Sequence, residues 1–557
     1  MAWLLRREDD VSISADFIGG QRLYRPSTQM QQQLRLEAES HLREGYSVGT
    51  YTDPDKINQI LRYHFSFYET ILSEKLPLVA SLHFMEFIFW QYDIAAKIES
   101  LFKQRLLPVA QARKWRELGP NVRRSMKFLA EAVTRLAPAE GSSAPREVLY
   151  HVRDTVWICA EQVLRVSQVS DQTFFLFPEQ TTLEILPEGG DLHMRLRIRD
   201  FDDEFFRRVV NSRDNEKTYL PKPDFEVDVD KHLEFLDAVF ASTFGATYGD
   251  VLRCLLSLIE GMPAREGTCG VPLGQKQWVI QQTARNLSVS DEAADQLLSG
   301  FTVTKEAMDK EGRVPWKPNQ ENRAFYRGFF ELPHAGGPIL MWSREMAREC
   351  FFRLCTDLVY QRVAPEWASD DIKHCVAALS KAHGRWFEEV TSANLHQMGL
   401  VGVHSRKSVG TEDREMLLPS DVGEIDYLGY SPRESLLLIA ECKASSIGSE
   451  SRFFRNEVTQ FVTRRNSHAS RFRRKIKWVR ENWEAVCRAL ESEHDLQKLA
   501  SSVSPRAYAA VMITRRPTIA AHFIRDFPCV SLTELRTAQN EKGRWPYELI
   551  KDGTLAK

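Results

Sequence analysis

Residues 423–444, GEIDYLGYSPRESLLLIAECKA, decide the fold of the C-terminal third of the chain. Within them, residues 431–434 (Ser-Pro-Arg-Glu) are typical of a turn, because proline fixes φ at the corner. One apolar segment precedes this turn, and a longer one, residues 436–440, follows it, which predicts a β-hairpin. The second strand is apolar on both faces, and we therefore expect it to be central in a sheet.

Folding this hairpin brings charged side chains to one end of the buried strand. With the corner at Pro432 and the arginine after it, Asp426 lies opposite Ile439 or the next alanine, within reach of Glu441. Glu441 and Lys443 are two residues apart, so they share one face of the strand. Such charges are costly to bury unless they are paired or bind a metal, and a divalent cation removes the repulsion between two carboxylates.

The arrangement resembles the PD-(D/E)xK nuclease superfamily, in which an acidic residue on one strand is followed by (D/E)-x-K on the next. Asp426 supplies the first acid, and Glu441, Cys442 and Lys443 supply the second half of the pattern. Ile425 stands where the pattern has proline, a common departure in the family. A surface Glu/Lys pair on an edge strand is the alternative, but the apolar run before Glu441 argues against an edge.

The resemblance implies metal-dependent hydrolysis of phosphodiester bonds, with DNA as the expected substrate and RNA as an alternative. It implies that Asp426, Glu441 and the backbone carbonyl of Cys442 hold Mg²⁺, for which Mn²⁺ can substitute. The metal would polarise the phosphate and lower the pKa of a bound water. Lys443 would orient that water or stabilise the charge that develops on the phosphate.

A predicted helix upstream of the hairpin carries another candidate. Residues 384–388, Gly-Arg-Trp-Phe-Glu, fit the G-x-x-F-E pattern that many family members carry on this helix. The resemblance implies that Glu388 reaches the metal directly or through water. Glu389 is adjacent and remains an alternative.

Downstream, the sequence predicts a helix over residues 456–472 that carries Gln460, and family members often place glutamine here, near the site. A strand over 507–514 and a short strand near Val530 follow. The order helix, strand, strand, helix, strand, strand predicts an α/β sandwich with a mixed central sheet, similar to that of restriction endonucleases.

The stretch from Arg452 to Arg480 is rich in cations and almost without acids. Apolar residues recur there at helical spacing, so the basic residues are expected on the opposite face. A phosphate-binding surface is the favoured interpretation, and an ordinary solvated face is the alternative. The predicted nucleic-acid contacts are Arg464, Arg465, Arg471, Arg473, Arg474, Lys475, Lys477 and Arg480.

Length and composition predict an α+β multidomain protein. The chain has 557 residues, which is too long for one ordinary core. Hydrophobic residues make up 43% of it and charged residues 27%, as in a globular protein. The formal net charge of −2 excludes a polycation, so nucleic-acid binding requires local charge asymmetry. The expected segments are a helical domain over 1–140, a mainly helical region over 146–370 with a β-hairpin near 181–199, the nuclease-like domain over 371–540 and a tail over 541–557.

The remaining expectations concern location and partners. With no recognisable signal peptide and no apolar stretch of membrane-spanning length, the sequence predicts a cytoplasmic protein without a membrane partner. Nine cysteines without a C-x-x-C pair favour reduced thiols over a zinc site. The N-terminal two-thirds has no nucleotide-binding loop, and we expect it to recognise a target, a protein partner or a second copy of the chain.

One biological setting and one rival function follow from these expectations. Restriction or antiphage defence is suggested by analogy with related architectures. The rival interpretation, from another class of function, is a nuclease fold that only binds nucleic acid or protein without catalysis.

Overall fold

Helices with apolar stripes and short strands alternate along the chain in this computed structural model. The residues that the structure describes are 13–137, 146–171, 173, 177–187, 193–198, 208–209, 212, 216, 218–222, 224–262, 270–311, 322–411, 414–446, 451–494 and 507–551. The chain divides into two compact units. The first comprises residues 1–199 and 229–377, and the second comprises residues 200–228 and 378–557.

The first unit is mainly helical. Its helices are α1 (Thr28–Gly45), α2 (Pro54–Val79), α3 (Leu82–Lys103), α4 (Val109–Leu136), α5 (Arg146–Asp171), α6 (Val229–Phe244), α7 (Tyr248–Gly261), α8 (Lys276–Leu287), α9 (Asp291–Ser299), α10 (Lys305–Glu311) and α11 (Arg344–Thr356). Single 3₁₀ turns cover Pro178–Gln180 and Asp357–Tyr360. Asp53 caps α2 by accepting a hydrogen bond from the amide of Asp55, and Pro54 occupies the first position of the helix.

Within the described residues, short strands complete the first unit in three small sheets. They are β1 (Ile13–Ile18), β2 (Gln21–Pro26), β3 (Gly49–Tyr51), β4 (Thr181–Ile185), β5 (Met194–Ile198), β6 (Leu273–Gln275), β7 (Thr302–Val303), β8 (Phe329–Leu332) and β9 (Ile339–Met341). The predicted hairpin near 181–199 is β4 and β5, which pair antiparallel from Thr181 opposite Ile198 to Ile185 opposite Met194. β3 extends this hairpin to three strands.

The boundaries of the two units differ from the domain boundaries expected from the sequence. Helices α2 and α5 pack against each other, so residues expected in separate N-terminal and middle domains share one core. Residues 200–228, expected in the middle region, belong instead to the second unit. The loop-like composition at 136–145 suggests a domain boundary from sequence alone, but it does not show which apolar faces pack together.

The second unit places helices around a sheet. Its helices are α12 (Asp370–Gln397, most of which belongs here), α13 (Ser451–Val458), α14 (His468–Glu481), α15 (Trp483–His494) and α16 (Leu532–Lys542). Its strands are β10 (Val401–Arg406), β11 (Ser408–Thr411), β12 (Arg414–Leu417), β13 (Ile425–Ser431), β14 (Leu436–Lys443), β15 (Ala507–Thr514), β16 (Cys529–Ser531) and β17 (Ile550–Lys551). A π-helical turn covers Thr459–Thr463, and a 3₁₀ turn covers Ile519–Phe523.

The main sheet is mixed, and β14 lies at its centre, as the apolar pattern predicts. The strand order is β10-β13-β14-β15-β16, with β17 paired to β15. β10, β13 and β14 run antiparallel, whereas β14, β15 and β16 run parallel. Alternate residues of β14 enter different cores: Leu437 and Ile439 pack with residues of α14 and α15, and Leu436 and Leu438 pack with residues of α12 and α16.

The register of the central hairpin differs from the expected one. Ser431 pairs with Leu436, so the turn contains four residues rather than two, and Ser435 closes it with φ of 51°. The pairing continues to Tyr427 opposite Ala440. This register places Asp426 across from Glu441 rather than from Ile439 or Ala440, because the turn is longer than expected.

Two further boundaries differ from the sequence prediction. The helix expected over 456–472 is interrupted: α13 ends in the π-helical turn, and α14 begins after Ser467, whose side chain accepts a hydrogen bond from the amide of Ser470. The segment expected as a tail from residue 541 contributes β17 to the sheet. Among the described residues, no helix is long and apolar enough to cross a membrane. The eight cysteines that lie within those residues are free thiols.

Candidate active site

Asp426 and Glu441 meet at one end of the central hairpin, where Lys443 contacts both. Oδ2 of Asp426 accepts hydrogen bonds from the amide of Cys442 at 2.8 Å and from Nζ of Lys443 at 3.0 Å. The same Nζ lies 2.8 Å from Oε1 of Glu441. Both carboxylates are buried. The three charged residues of the sequence pattern are therefore brought together, since the hairpin places them in adjacent strands.

A fourth charged residue, Lys475 of α14, completes this cluster. Its Nζ lies 3.0 Å from Oδ1 of Asp426 and donates a hydrogen bond to Oε2 of Glu441. Only 6% of Lys475 is exposed, so its assignment to a nucleic-acid surface is wrong. We call Asp426, Glu441, Lys443 and Lys475 the charged tetrad; each lysine contacts both carboxylates, and the formal charges sum to zero.

The helical period of α14 could have indicated from the sequence alone that Lys475 is buried. It follows Phe472 by three residues and precedes Val479 by four, which is the spacing of one helix face. Phe472 and Val479 are both fully buried. A lysine on the buried face of an amphipathic helix requires a buried partner, and the two carboxylates supply it.

Burial and ion pairing shift the pKa values of Asp426, Lys443 and a neighbouring histidine. Burial by itself raises the pKa of Asp426, but Lys443, Lys475 and the Cys442 amide outweigh it and hold the pKa below its ordinary value. Burial lowers the pKa of Lys443, but the two carboxylates outweigh it and raise the pKa well above its ordinary value. Burial, with Lys443 as the next cause, lowers the pKa of His468 to about 3, so this imidazole is neutral.

The donor set is of the right type for Mg²⁺, but its oxygens are already engaged. Asp426 and Glu441 offer hard carboxylate oxygens, and the predicted third ligand, the carbonyl of Cys442, accepts a hydrogen bond from Nζ of Lys443 at 2.7 Å. Nowhere in the described chain do three or more His, Cys, Asp or Glu side chains form a group that could hold a metal. An ion bound to both carboxylates would therefore compete with the ammonium groups for these oxygens.

Glu388 lies on the open side of this cluster. It lines a cavity of about 790 Å³ that Asp426 also lines, and its Oε2 accepts a hydrogen bond from the hydroxyl of Ser405 at 2.9 Å. Burial, with Asp426 as the next cause, raises the pKa of Glu388. Glu389 is exposed and does not line this cavity. The structure thus separates the two carboxylates that the sequence left as alternatives.

The wall of the cavity is basic, and this surface is missing from the sequence prediction. Lys381 and Arg385 are one turn apart on α12, and both are exposed. Neither makes an ion pair or a hydrogen bond with any described residue. Lys407, from the loop after β10, lies 3.9 Å from Glu424 on the same wall. We call Lys381, Arg385 and Lys407 the cationic wall.

The basic residues of α14 are less available than the sequence suggested. Arg473 forms a bidentate ion pair with Asp526, at 2.6 and 2.9 Å, and Lys477 lies 3.8 Å from Glu481. Arg474 donates a hydrogen bond to the carbonyl of Asp421, and Arg471 contacts the ring of His468. The acidic partner of Arg473 is 53 residues away in sequence, so local composition could not reveal it.

The other predicted contacts lie outside the buried cluster. Arg464 and Arg465 are exposed in the bend before α14, and Arg480 is half-buried near the end of that helix. Gln460 is exposed in the π-helical turn rather than directed into the tetrad. Its catalytic assignment remains a prediction based on resemblance.

A second buried ion-pair cluster supports the end of β14. The amide of Arg515 donates to the carbonyl of Lys443 at 3.0 Å, and its guanidinium pairs with Asp224 and Glu226. His383 lies 3.2 Å from the same guanidinium. These contacts attach the segment before α6 to the sheet and bury His383 beside the guanidinium.

Comparison with known proteins adds no assignment. Neither a protein-family model, nor a curated protein, nor a solved structure matches this chain.

Proposed function

We propose that the second unit is a metal-dependent nuclease domain of the PD-(D/E)xK type that hydrolyses phosphodiester bonds in DNA. The observation that carries this proposal is the meeting of Asp426, Glu441 and Lys443 beside an open cavity with a basic wall. Carboxylates supply ligands for a hard cation, and unpaired cations supply contacts for phosphate.

The cationic wall gives this chemistry a substrate surface. Lys381 and Arg385 project from the helix that also carries Glu388, so a phosphate held by them lies in the cavity that Asp426 lines. Gly384 lies between them, and a Cβ at this position would meet no atom within 4 Å. A nucleic-acid backbone can therefore approach the helix closely along this turn.

Each residue of the site has a defined role in the proposed reaction. Asp426 and Glu441 would hold Mg²⁺, which when bound polarises the phosphate and activates a water. Lys443 is the less buried lysine of the tetrad, with 22% of its side chain exposed, and would stabilise charge on the phosphate. Glu388, whose pKa is raised, would accept a proton from water more readily than an ordinary carboxylate.

The zero net charge of the tetrad favours one second candidate function. Two carboxylates neutralised by two lysines also suit a nuclease fold that binds nucleic acid or protein without cleaving it. In that case the cationic wall would still bind phosphates, but no metal would be required. Both candidates leave the first unit to recognise a target or a partner, and restriction or antiphage defence remains a setting by analogy.

A cleavage assay with a matched pair of variants tests the proposal. Purified protein is incubated with Mg²⁺ or Mn²⁺ and with duplex DNA, single-stranded DNA or RNA. We expect cleavage of DNA by the wild type, its loss in Asp426→Asn and Glu441→Gln, and a large reduction in Glu388→Gln. Glu389→Gln changes the adjacent exposed carboxylate and should cleave normally.

Melting temperatures measured on the same variants separate chemistry from folding, because the changes at Asp426 and Glu441 also alter a buried ion-pair cluster. Glu388→Gln leaves the tetrad intact, so its effect should fall on cleavage alone. Wild-type protein that binds DNA but cleaves no substrate with either metal would favour the binding module. Normal cleavage by Asp426→Asn would remove this site from the reaction.

A further inference from the structure

We infer that Lys475 is an internal competitor of the metal: its ammonium group bridges the two carboxylates that would hold the ion and so keeps metal affinity low. This inference rests on the proposed function, because it concerns loading of the same site. It adds a residue outside the D…ExK pattern, contributed by a helix rather than by the hairpin.

The geometry places Lys475 between the two carboxylates. Its Nζ is 3.0 Å from Oδ1 of Asp426 and bonds to Oε2 of Glu441, so one ammonium joins both residues. The side chain is 7% exposed, and bulk water therefore screens these contacts little. An ion that takes ligands from both carboxylates would compete with the ammonium group that already bridges them.

The net charge of the cluster also disfavours metal binding. With one lysine, Asp426 and Glu441 would keep a net charge of −1, which attracts a divalent cation. With both lysines the tetrad is neutral, so the ion gains no net attraction from it. Each lysine that stays near the carboxylates also repels the ion directly, and this repulsion is strongest where water is excluded.

Of the two lysines, Lys475 is the one whose contacts depend wholly on the carboxylates. Lys443 has a further acceptor, the carbonyl of Cys442 at 2.7 Å, which can hold its ammonium beside the site after an ion has bound. Among the described residues, Lys475 bonds only to Asp426 and Glu441. Metal binding therefore opposes the contacts of Lys475 more than those of Lys443.

Metal titration of Lys475→Met tests the inference without relying on cleavage. Mn²⁺ affinity is measured by isothermal titration calorimetry and by the rise in melting temperature, on wild type, Lys475→Met and Lys475→Arg. Lys477→Met removes an exposed lysine from the same helix and serves as the matched control. A double variant that adds Asp426→Asn to Lys475→Met reports whether the bound ion is at this site.

We expect Lys475→Met to melt lower than wild type without metal and to be stabilised strongly by Mn²⁺. Its affinity should exceed that of wild type by about tenfold or more, because a contacting unit charge has been removed. Lys475→Arg and Lys477→Met should resemble wild type, and the double variant should lose the gain. If Lys475→Met unfolds without metal, Mn²⁺ should restore its helical circular dichroism.

Three results overturn the inference: equal Mn²⁺ affinity in wild type and Lys475→Met, no Mn²⁺ binding by either, or an unfolded Lys475→Met that Mn²⁺ does not restore. None of them decides the proposed function, which the cleavage assay tests on wild-type protein. Conversely, tight Mn²⁺ binding by Lys475→Met with no wild-type cleavage of any substrate would support the inference and refute the nuclease proposal.

Discussion

Changing Lys381 and Arg385 together to glutamine should weaken nucleic-acid binding and flatten its dependence on salt. Both side chains line the cavity beside Asp426, and neither is paired with a described residue. Each can therefore neutralise one phosphate without first breaking an ion pair. The change leaves the charged tetrad and both cores of the second unit untouched.

The magnitude follows from counterion release. Each phosphate contact contributes about 0.9 to the slope of log affinity against log salt on duplex DNA, so two lost contacts reduce the slope by about 1.8. Over a fourfold rise in salt, the wild type should therefore lose about twelvefold more affinity than the double variant. Stability should not change, since no ion pair within the described chain is broken.

The assay is fluorescence anisotropy of labelled duplex DNA over a series of salt concentrations, with EDTA present so that the DNA is not cleaved. The comparison is the triple variant Arg473→Gln, Lys477→Gln, Arg480→Gln on α14, where the sequence alone predicts the phosphate surface. In that variant we expect little change in slope and a lower melting temperature, because Arg473 is paired with Asp526. The opposite result would be an unchanged salt slope in the double variant on α12 and a reduced slope in the triple variant on α14. It would refute the cationic wall as the phosphate-binding surface.

Two other predictions concern stability. Gly384→Ala should stabilise the protein by about 1 kcal/mol, because the glycine is inside a helix and its Cβ would meet open space; lower stability in thermal melts would contradict this conformation, and weaker DNA binding is expected from the added methyl group. Burial raises the pKa of Glu457 from 4.5 to about 8. Between these two values the folded protein keeps a proton that the unfolded chain releases, so the free energy of unfolding falls as pH rises. The loss is up to about 1.4 kcal/mol per pH unit. Glu457→Gln should remove that loss: its melting temperature should match wild type near pH 4 and exceed it increasingly up to pH 8, and a constant difference across this range would exclude the assignment.

The part of the site that the sequence predicted is the part made by neighbours in the chain. Asp426, Glu441 and Lys443 lie on two strands joined by one turn, so alternation and turn chemistry suffice to bring them together. The exact register was not predictable, because nothing in Ser-Pro-Arg-Glu shows whether two or four residues form the turn. The mixed sheet with a central β14 follows from an apolar run too continuous for an edge strand.

The part that the sequence missed is made by contacts between distant segments. Lys475 comes from 34 residues beyond Glu441, and Arg515 pairs with Asp224 across 291 residues. Composition shows a run of cations on α14, but only packing shows that one of them is buried and another is paired with Asp526. Local patterns therefore predicted which charged residues the hairpin brings together, but not that Lys475 is buried or that Arg473 is paired.

The charged tetrad is where the two proposed functions make different physical demands. A buried ion-pair cluster gains little stability over well-packed apolar side chains, because desolvation offsets most of the attraction. A binding module therefore gains little in stability from burying two carboxylates beside a basic cavity. A nuclease needs both carboxylates, and it also needs them neutralised while no cation is bound, since Asp426 and Glu441 would otherwise repel each other in a buried site. In a nuclease Lys475 would meet that need, and an ion would have to compete with the same contacts. Low metal affinity in the wild type would then be a property of an active site rather than evidence against one.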